Sequence, residues 1–372
     1  MRVNITPPLF GQAIWISALV FMGCPPQKPP TTVDEAPRRA FLAAVGACAA
    51  EQTTAFQTTA AALAASPTRE NWKSAMVAWQ RVEMMQFGPT GSSTNPGGQD
   101  FRDQLYSWPL VSRCAIDDAL VAKSYENGVS GLLVNRRGLA ALEYLLFYAG
   151  DDASCSTAGW NALTADEHTA RKQAYAAAVA ADIKTRADAL VAAWNGGFVD
   201  TLRTAGAGNA TYPSLGGAMN QVSDALFAIE DPVKEEKVGE PLGHTVCTAP
   251  PCLELLESQY ANHNTANIRA NLVGFRMLLQ GCGPDFSGGG LDDLLVASGA
   301  SSLSERLIAG LNGAETALAA IEEPDLRDAL VADRPSVLAF YQALKVVTDL
   351  LKSELMMVLD LRLPAALEGD ND

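Results

Sequence analysis

Histidine is scarce in this chain: His168, His244 and His263 are the three in 372 residues. None stands in a His-Glu-x-x-His pattern, which removes the zinc proteases built on that helix. No Gly-x-Ser-x-Gly elbow occurs either. Gly288-Gly289-Gly290 follows no strand and lacks Gly-Lys-Ser, so no phosphate loop is indicated. A Ser-His-Asp arrangement is defined in space and stays open, with nothing pointing to one. Basic clusters are missing beyond Arg38-Arg39 and Arg136-Arg137, and the formal net charge is −15. That balance argues against nucleic acid as a partner. No run alternates with period two, so no strand is expected. Aromatic content is 7%, while the 48% of hydrophobic residues are rich in Ala and Leu, which favours helices.

The length suffices for two or three domains and an extensive core. At the N-terminus, Arg2 precedes an apolar run, Ala13 to Met22, that is short for a membrane span. The run ends in Phe21-Met22-Gly23-Cys24, which resembles the lipobox at which bacterial lipoproteins are cut and lipidated; Phe21 stands where Leu is usual. The expectation is a signal peptide over 1–23, a lipid on Cys24 that holds the protein to a membrane, and a proline-rich tether over 24–36. Six cysteines remain: Cys48, Cys114, Cys155, Cys247, Cys252 and Cys282. An even number in an exported chain suggests structural disulfides, with fifteen possible pairings. Cys247 and Cys252 bracket four residues and could close a small loop.

The apolar periodicity predicts about nine substantial helices. They fall over 33–65, 69–86, 110–125, 135–148, 164–194, 218–229, 253–280, 302–321 and 335–361, with a shorter one at 291–297. Thr164 and Glu167 form a capping-box pattern. Asp231-Pro232 reads as a helix stop and 234–251 as irregular. Leu338, Tyr341, Leu344 and Thr348 mark one stripe of the last helix. Long helices with short breaks pack as antiparallel bundles. The predicted fold is all-α, two tandem bundles over 37–205 and 206–368.

The most apolar of these helices, Asn135 to Tyr148, carries one acid in its middle, Glu143. An acid there is costly unless it is paired, hydrogen-bonded or ligating. It is either a satisfied structural carboxylate or part of a site. Inward carboxylates of a bundle hold metals, sometimes as Glu-x-x-His, but Ala140 stands three positions before Glu143, so another helix must supply any partner. In the second half, the polar patch from Glu257 to Thr265, with His263 inside it, is the best candidate for a site; caps and helix surface are the competing reading.

Several segments together resemble the imelysin-like family, which includes the insulin-cleaving membrane protease. Trp72 and Trp79 lead to Phe87-Gly88-Pro89. Ser107-Trp108-Pro109 is followed by Asp117. Gly138 to Phe147 resembles the family's signature helix, Glu257-Ser258 with Asn264-Thr265 a second-half polar motif, and Gly369 to Asp372 its acidic ending. The ordered set spans roughly 40 to 372. The resemblance implies an exported, often lipid-anchored, all-helical protein of two bundle-like halves, a site between them and a link to iron uptake. The family's peptidase label rests on Gly-x-His-x-x-Glu. Gly138 and Glu143 match it, and Ala140 replaces the His. A metallopeptidase needs three ligands and an open position, so that loss weighs against peptidase activity.

Three readings follow. The first is a cell-envelope lipoprotein, on the periplasmic face of the outer membrane or the cell surface, that binds a metal ion or metal-containing ligand in a cleft and serves iron acquisition. Glu83, Trp108, Asp117, Gly138, Glu143, Glu257, Ser258 and Asn264 would line the cleft, with Glu143 and His263 as metal ligands. Iron comes from the resemblance; oxygen ligands equally suit Ca, Mg or Mn. The second is a degenerate zinc peptidase in which His263 or His244 replaces the missing ligand. The third is a structural or partner-binding envelope module, in which Glu143 is tightly paired with no cavity beside it.

Overall fold

A computed structural model of the chain describes Met1, residues 35–244, 246–247 and 249–364, and Leu367. The signal peptide, Cys24, most of the proline-rich tether and the Gly369–Asp372 ending lie outside the described residues. Asp34–Asp372 form one compact unit. It is all-α, with no strand among the described residues. No described helix is long and apolar enough to cross a membrane.

Helix α1 (Glu35–Ala65) is the spine. Its buried Phe41, Val45, Cys48, Gln52, Phe56, Ala60 and Leu63 recur every three or four residues, so one stripe faces the core along the helix. Helix α2 (Arg69–Glu83) starts where Thr68 accepts a hydrogen bond from the Asn71 amide (3.2 Å) and buries Trp72, Met76 and Trp79 beside α1. Three short helices follow: α3 (Phe101–Leu105), α4 (Arg113–Val121) and α5 (Gly138–Phe147). Helix α6 (Ala165–Ala193) returns along α1 from the expected capping box of Thr164 and Glu167.

After α7 (Val199–Arg203) and α8 (Leu215–Leu226), the chain differs from its sequence pattern. Asp231-Pro232 does stop the preceding helix: Asp231 leaves helical geometry (φ −125°, ψ 110°) at a kink, beyond which a wide π-type turn runs to Gly239 and leads into α9 (Glu240–Leu242). Residues 234–239 are therefore ordered helix, and Lys234 and Lys237 are carried into the interior. The long helix expected from 253 begins only at Asn264, as α10 (Asn264–Gln280); the residues before it form a buried polar turn. The end of the chain adds α11 (Leu291–Ala297), α12 (Ser301–Ala319), α13 (Leu326–Ala332), α14 (Arg334–Leu350) and α15 (Met356–Leu359). Tyr341, Leu344 and Thr348 of α14 are buried, whereas Leu338 of the expected stripe is exposed.

Helices from before and after residue 206 share the core. Helix α10 lies directly on α2, and α1 touches α8, α10 and α11 as well as α2 and α6. Gly274 permits the α2–α10 crossing, because a Cβ there would sit 2.8 Å from the Arg81 carbonyl oxygen and 2.9 Å from Met84 Cγ. The disulfides are Cys48–Cys282, Cys114–Cys155 and Cys247–Cys252. The last closes the loop that its spacing suggested. Cys48–Cys282 spans 234 residues and staples α1 to the end of α10.

Closing so long a loop restricts the unfolded chain, and disulfides of this kind contribute about 2–5 kcal/mol. The double variant Cys48→Ser/Cys282→Ser is therefore expected to unfold at lower urea, with its helical circular dichroism retained in water. An unchanged urea midpoint would show that the staple contributes nothing.

Candidate functional site around Glu143

Helix α5 is buried from Gly138 to Leu145, so Glu143 has no outward face on which to sit. It is 3% exposed. Its Oε1 accepts hydrogen bonds from the backbone amides of Tyr260 (2.9 Å) and Ala261 (2.8 Å), in the turn just before α10. Its Oε2 receives no hydrogen bond among the described residues. Burial raises its pKa to about 8; the two amides oppose that rise, while Glu257 and Asp325 add to it. At neutral pH Glu143 therefore keeps its proton.

The Glu143 side chain borders open space. A cavity of about 160 Å³ is lined by Trp108, Ala140, Glu143, Tyr144, Glu257 and Tyr260, with Arg113 at its edge. Arg113 donates to the Tyr144 hydroxyl (3.2 Å) and to Asp152 Oδ2 (2.8 Å). Ala140 is the position at which the family motif carries His, and it faces the same cavity as Glu143.

A buried ionic cluster closes one side. Lys237 Nζ lies 2.5 Å from Glu83 Oε2, 2.6 Å from Gln80 Oε1, 3.0 Å from Asn271 Oδ1 and 3.3 Å from Glu257 Oε2. Asn271 also donates to Glu83 Oε2 (3.1 Å), and Arg102 to Glu83 Oε1 (3.1 Å). Gln80 and the Tyr106 hydroxyl both donate to Glu257 Oε1. Burial pushes both acids up. For Glu83, Lys237 and Arg102 outweigh it and hold the pKa below the usual range. For Glu257, the single ammonium does not outweigh burial and the neighbouring Glu83, and the pKa stays raised.

The expected residues thus divide. Trp108, Glu143 and Glu257 line the cavity. Glu83 stands behind it, joined through Lys237. Asp117 is buried beneath α5, accepting from the Tyr144 hydroxyl (2.6 Å) and the Ser154 amide (2.9 Å). Gly138 is architectural: its φ is +83°, and a Cβ would lie 3.0 Å from the Leu105 carbonyl. Ser258 and Asn264 build the turn, Asn264 accepting from the Ser258 amide (2.8 Å) and donating to Asp325 Oδ1 (2.7 Å). That turn aims the Tyr260 and Ala261 amides. His263 lies beside Trp72, ring centroids 6.0 Å apart, and not on the cavity wall. Burial and then Lys73 depress its pKa to about 4, and its Nε2 has no partner. Among the described residues, no three His, Cys, Asp or Glu side chains converge as a metal site would require.

Lys237, Gln80, Tyr106, Arg102 and Asn271 were not anticipated from the sequence. One signal was available: Asn264, Asn267 and Asn271 recur at spacings of three and four along one helix, and all three are buried.

The imelysin family model matches residues 42–351, which includes every residue of this site. The chain belongs to the imelysin family. It is 26% identical over 324 residues to the iron-regulated protein A of Synechococcus elongatus, an alignment covering 84% of this chain and 80% of that one. Its fold is similar to a crystal structure described as an iron-regulated protein A precursor from Parabacteroides distasonis. The TM-score is 0.63 at 16% identity, covering 86% of this chain and 94% of that one. In this imelysin, the motif's Gly and Glu sit at either end of one buried turn of α5, and Ala140 leaves open the side of the cavity where a His would project.

Two outcomes follow. Lys237→Met leaves Glu83 and Glu257 buried without their shared cation, which is expected to cost about 3–5 kcal/mol in urea unfolding. A loss below 1 kcal/mol would mean that water reaches the cluster, on the scale of exposed pairs at about 0–1 kcal/mol. Glu143 titrates near 8 when folded, against 4.5 for an ordinary glutamate, so the folded protein holds an extra proton between those pH values. Its contribution to stability is complete below 4.5 and falls as pH rises toward 8. Glu143→Gln, which still accepts both amides, is expected to match the parent melting temperature near pH 5 and exceed it near pH 9. Equal differences at both pH values would contradict the raised pKa.

Proposed function

We propose that this imelysin is a cell-envelope protein of iron acquisition that takes an iron-bearing cargo at the Glu143–Glu257 cavity. The observation that carries the reading is two buried carboxylates, both held above their usual pKa, facing one cavity with a single ammonium between Glu257 and Glu83. A cation entering there relieves both acids and displaces the proton of Glu143. The oxygen donors suit a hard ion. Only two carboxylates reach the cavity, so an iron cargo keeps water or a chelator in its other positions. At about 160 Å³ the space fits that exposed part of a cargo and not a large organic ligand. The names of the Synechococcus and Parabacteroides relatives support iron as the metal.

Attachment through a lipid on Cys24, to the periplasmic face of the outer membrane or the cell surface, belongs to the same proposal, as do an envelope partner and a division into two halves near residue 206. The lipobox-like Phe21-Met22-Gly23-Cys24 and the three disulfides support export. The donor set does not favour the peptidase reading: a hydrolytic zinc needs three protein ligands, and the cavity wall holds no histidine.

The test is equilibrium dialysis against ferric citrate, followed by metal analysis. The parent protein is expected to retain iron, more strongly as pH rises toward 8. Glu143→Gln should lose about tenfold or more in affinity, the scale on which metal ligands and their supports act. Ala140→His should gain affinity by adding a donor on the open wall. Iron retained equally by the parent and Glu143→Gln, or by neither, would sink the proposal.

A further inference from the structure

A larger cavity lies on the other side of α5. It has a volume of about 590 Å³, within the range of small-molecule sites. The walls that matter are Arg69 at the start of α2, Tyr148 beyond the end of α5, Trp160, and His168, Lys172 and Gln173 on α6.

Two cations line this space in a chain of net charge −15, the exposed Arg69 and the half-buried Lys172, and their bonding is unlike that of the buried Lys237. Lys172 Nζ reaches only the Tyr148 and Gly150 carbonyls, at 3.3 and 3.4 Å, and lies 5.3 Å from the Tyr148 ring centroid. Arg69 gives its Nε to the Leu146 carbonyl (2.9 Å) and packs over Phe147. Neither has a carboxylate within 4.0 Å among the described residues, although Asp151 is on the same wall. By contrast, Lys237 touches two acids. Burial lowers the pKa of Lys172, as expected of an ammonium whose counter-ion is incomplete.

The rest of the wall mixes aromatic and aliphatic side chains with polar ones. Trp160 is fixed by its indole donating to the Asp151 carbonyl (2.8 Å) and by the ring of His168 at 4.3 Å. His168 Nε2 lies 3.2 Å from the Trp160 carbonyl, and its Nδ1 has no partner. The ring walls therefore have anchored positions before any ligand arrives.

We propose that this cavity binds a small aromatic carboxylate. Its ring lies between Trp160 and Tyr148, and its carboxylate meets Lys172 and the guanidinium of Arg69. The site is separate from the Glu143 cavity: one is lined by Ala140, Glu143 and Tyr144, the other by Leu145, Leu146 and Tyr148 further along α5. The protein as a whole repels anions, so affinity depends on these two cations at short range.

Isothermal titration calorimetry on the folded chain tests it with three probes: 4-hydroxybenzoate, its neutral analogue 4-hydroxybenzyl alcohol, and inorganic phosphate. The aromatic carboxylate is expected to bind, with the other two about tenfold weaker or worse, a factor of ten being 1.4 kcal/mol. Lys172→Met should weaken 4-hydroxybenzoate by about tenfold. Arg69→Met, on the exposed first turn of α2, should weaken it several-fold without touching the core, and circular dichroism confirms that each variant is folded. No heat with 4-hydroxybenzoate, binding indifferent to both substitutions, or phosphate binding equally well would each overturn the proposal.

Discussion

The ammonium of Lys237 is the interaction on which the site depends. It carries one positive charge into a place where Glu83 and Glu257 both lie, with Gln80 and Asn271 completing its shell. Glu83 comes from α2, Asn271 from α10, Glu257 from the turn before α10 and Lys237 from the π-type turn. Four parts of the chain are held to one register by a group that none of them can bury alone. The bonds that fix Glu257 leave its pKa raised, and Glu143 is raised across the cavity for the same reason: burial disfavours the charged form, and neighbouring acids add to it. The geometry thus stores an electrostatic demand for a cation, and stability is spent to keep it.

Two packing features make that placement possible. Gly274 lets α10 approach α2 at backbone distance, which brings Asn271 to Glu83. Gly138, in its left-handed conformation, starts α5 against the Leu105–Ser107 turn, and the Ala140 amide then donates to the Tyr106 carbonyl (3.1 Å). Tyr106 in turn donates to Glu257. The residues that looked like ligands by their motif, Gly138, Ser258 and Asn264, act one step away from the cavity by holding the groups that line it.

How much of this was legible in the sequence depended on the kind of signal. The helices with clean periodicity and caps, α1, α2 and α6, were readable, because a 3.6-residue stripe has one physical meaning. Glu143 was readable because an acid in an apolar run is an anomaly that must be answered. Lys237 was not. It follows Asp231-Pro232 in a run of alternating charge, which reads as a solvated loop, and only the π-type turn rotates it inward. Likewise the start of α10 was hidden: 253–263 has the composition of a helix entry, yet Glu257 pairs with Lys237, Ser258 bonds Asn264 and Asn267, and the Tyr260 and Ala261 amides turn to Glu143. His263 drew attention as a rare ligand-grade residue, and its ring sits against Trp72.

The central claim is that Glu143 is a buried acid kept protonated until a cation replaces its proton. Its titration can be followed directly by NMR of protein labelled with 13C at the glutamate side-chain carboxyl, the signal assigned by its absence in Glu143→Gln. A midpoint near 8 is expected in metal-free protein, moving to lower pH when citrate-bound gallium(III), a diamagnetic stand-in for ferric iron, is added. A midpoint near 4.5, the value of an ordinary glutamate, or one that gallium leaves in place, would contradict this.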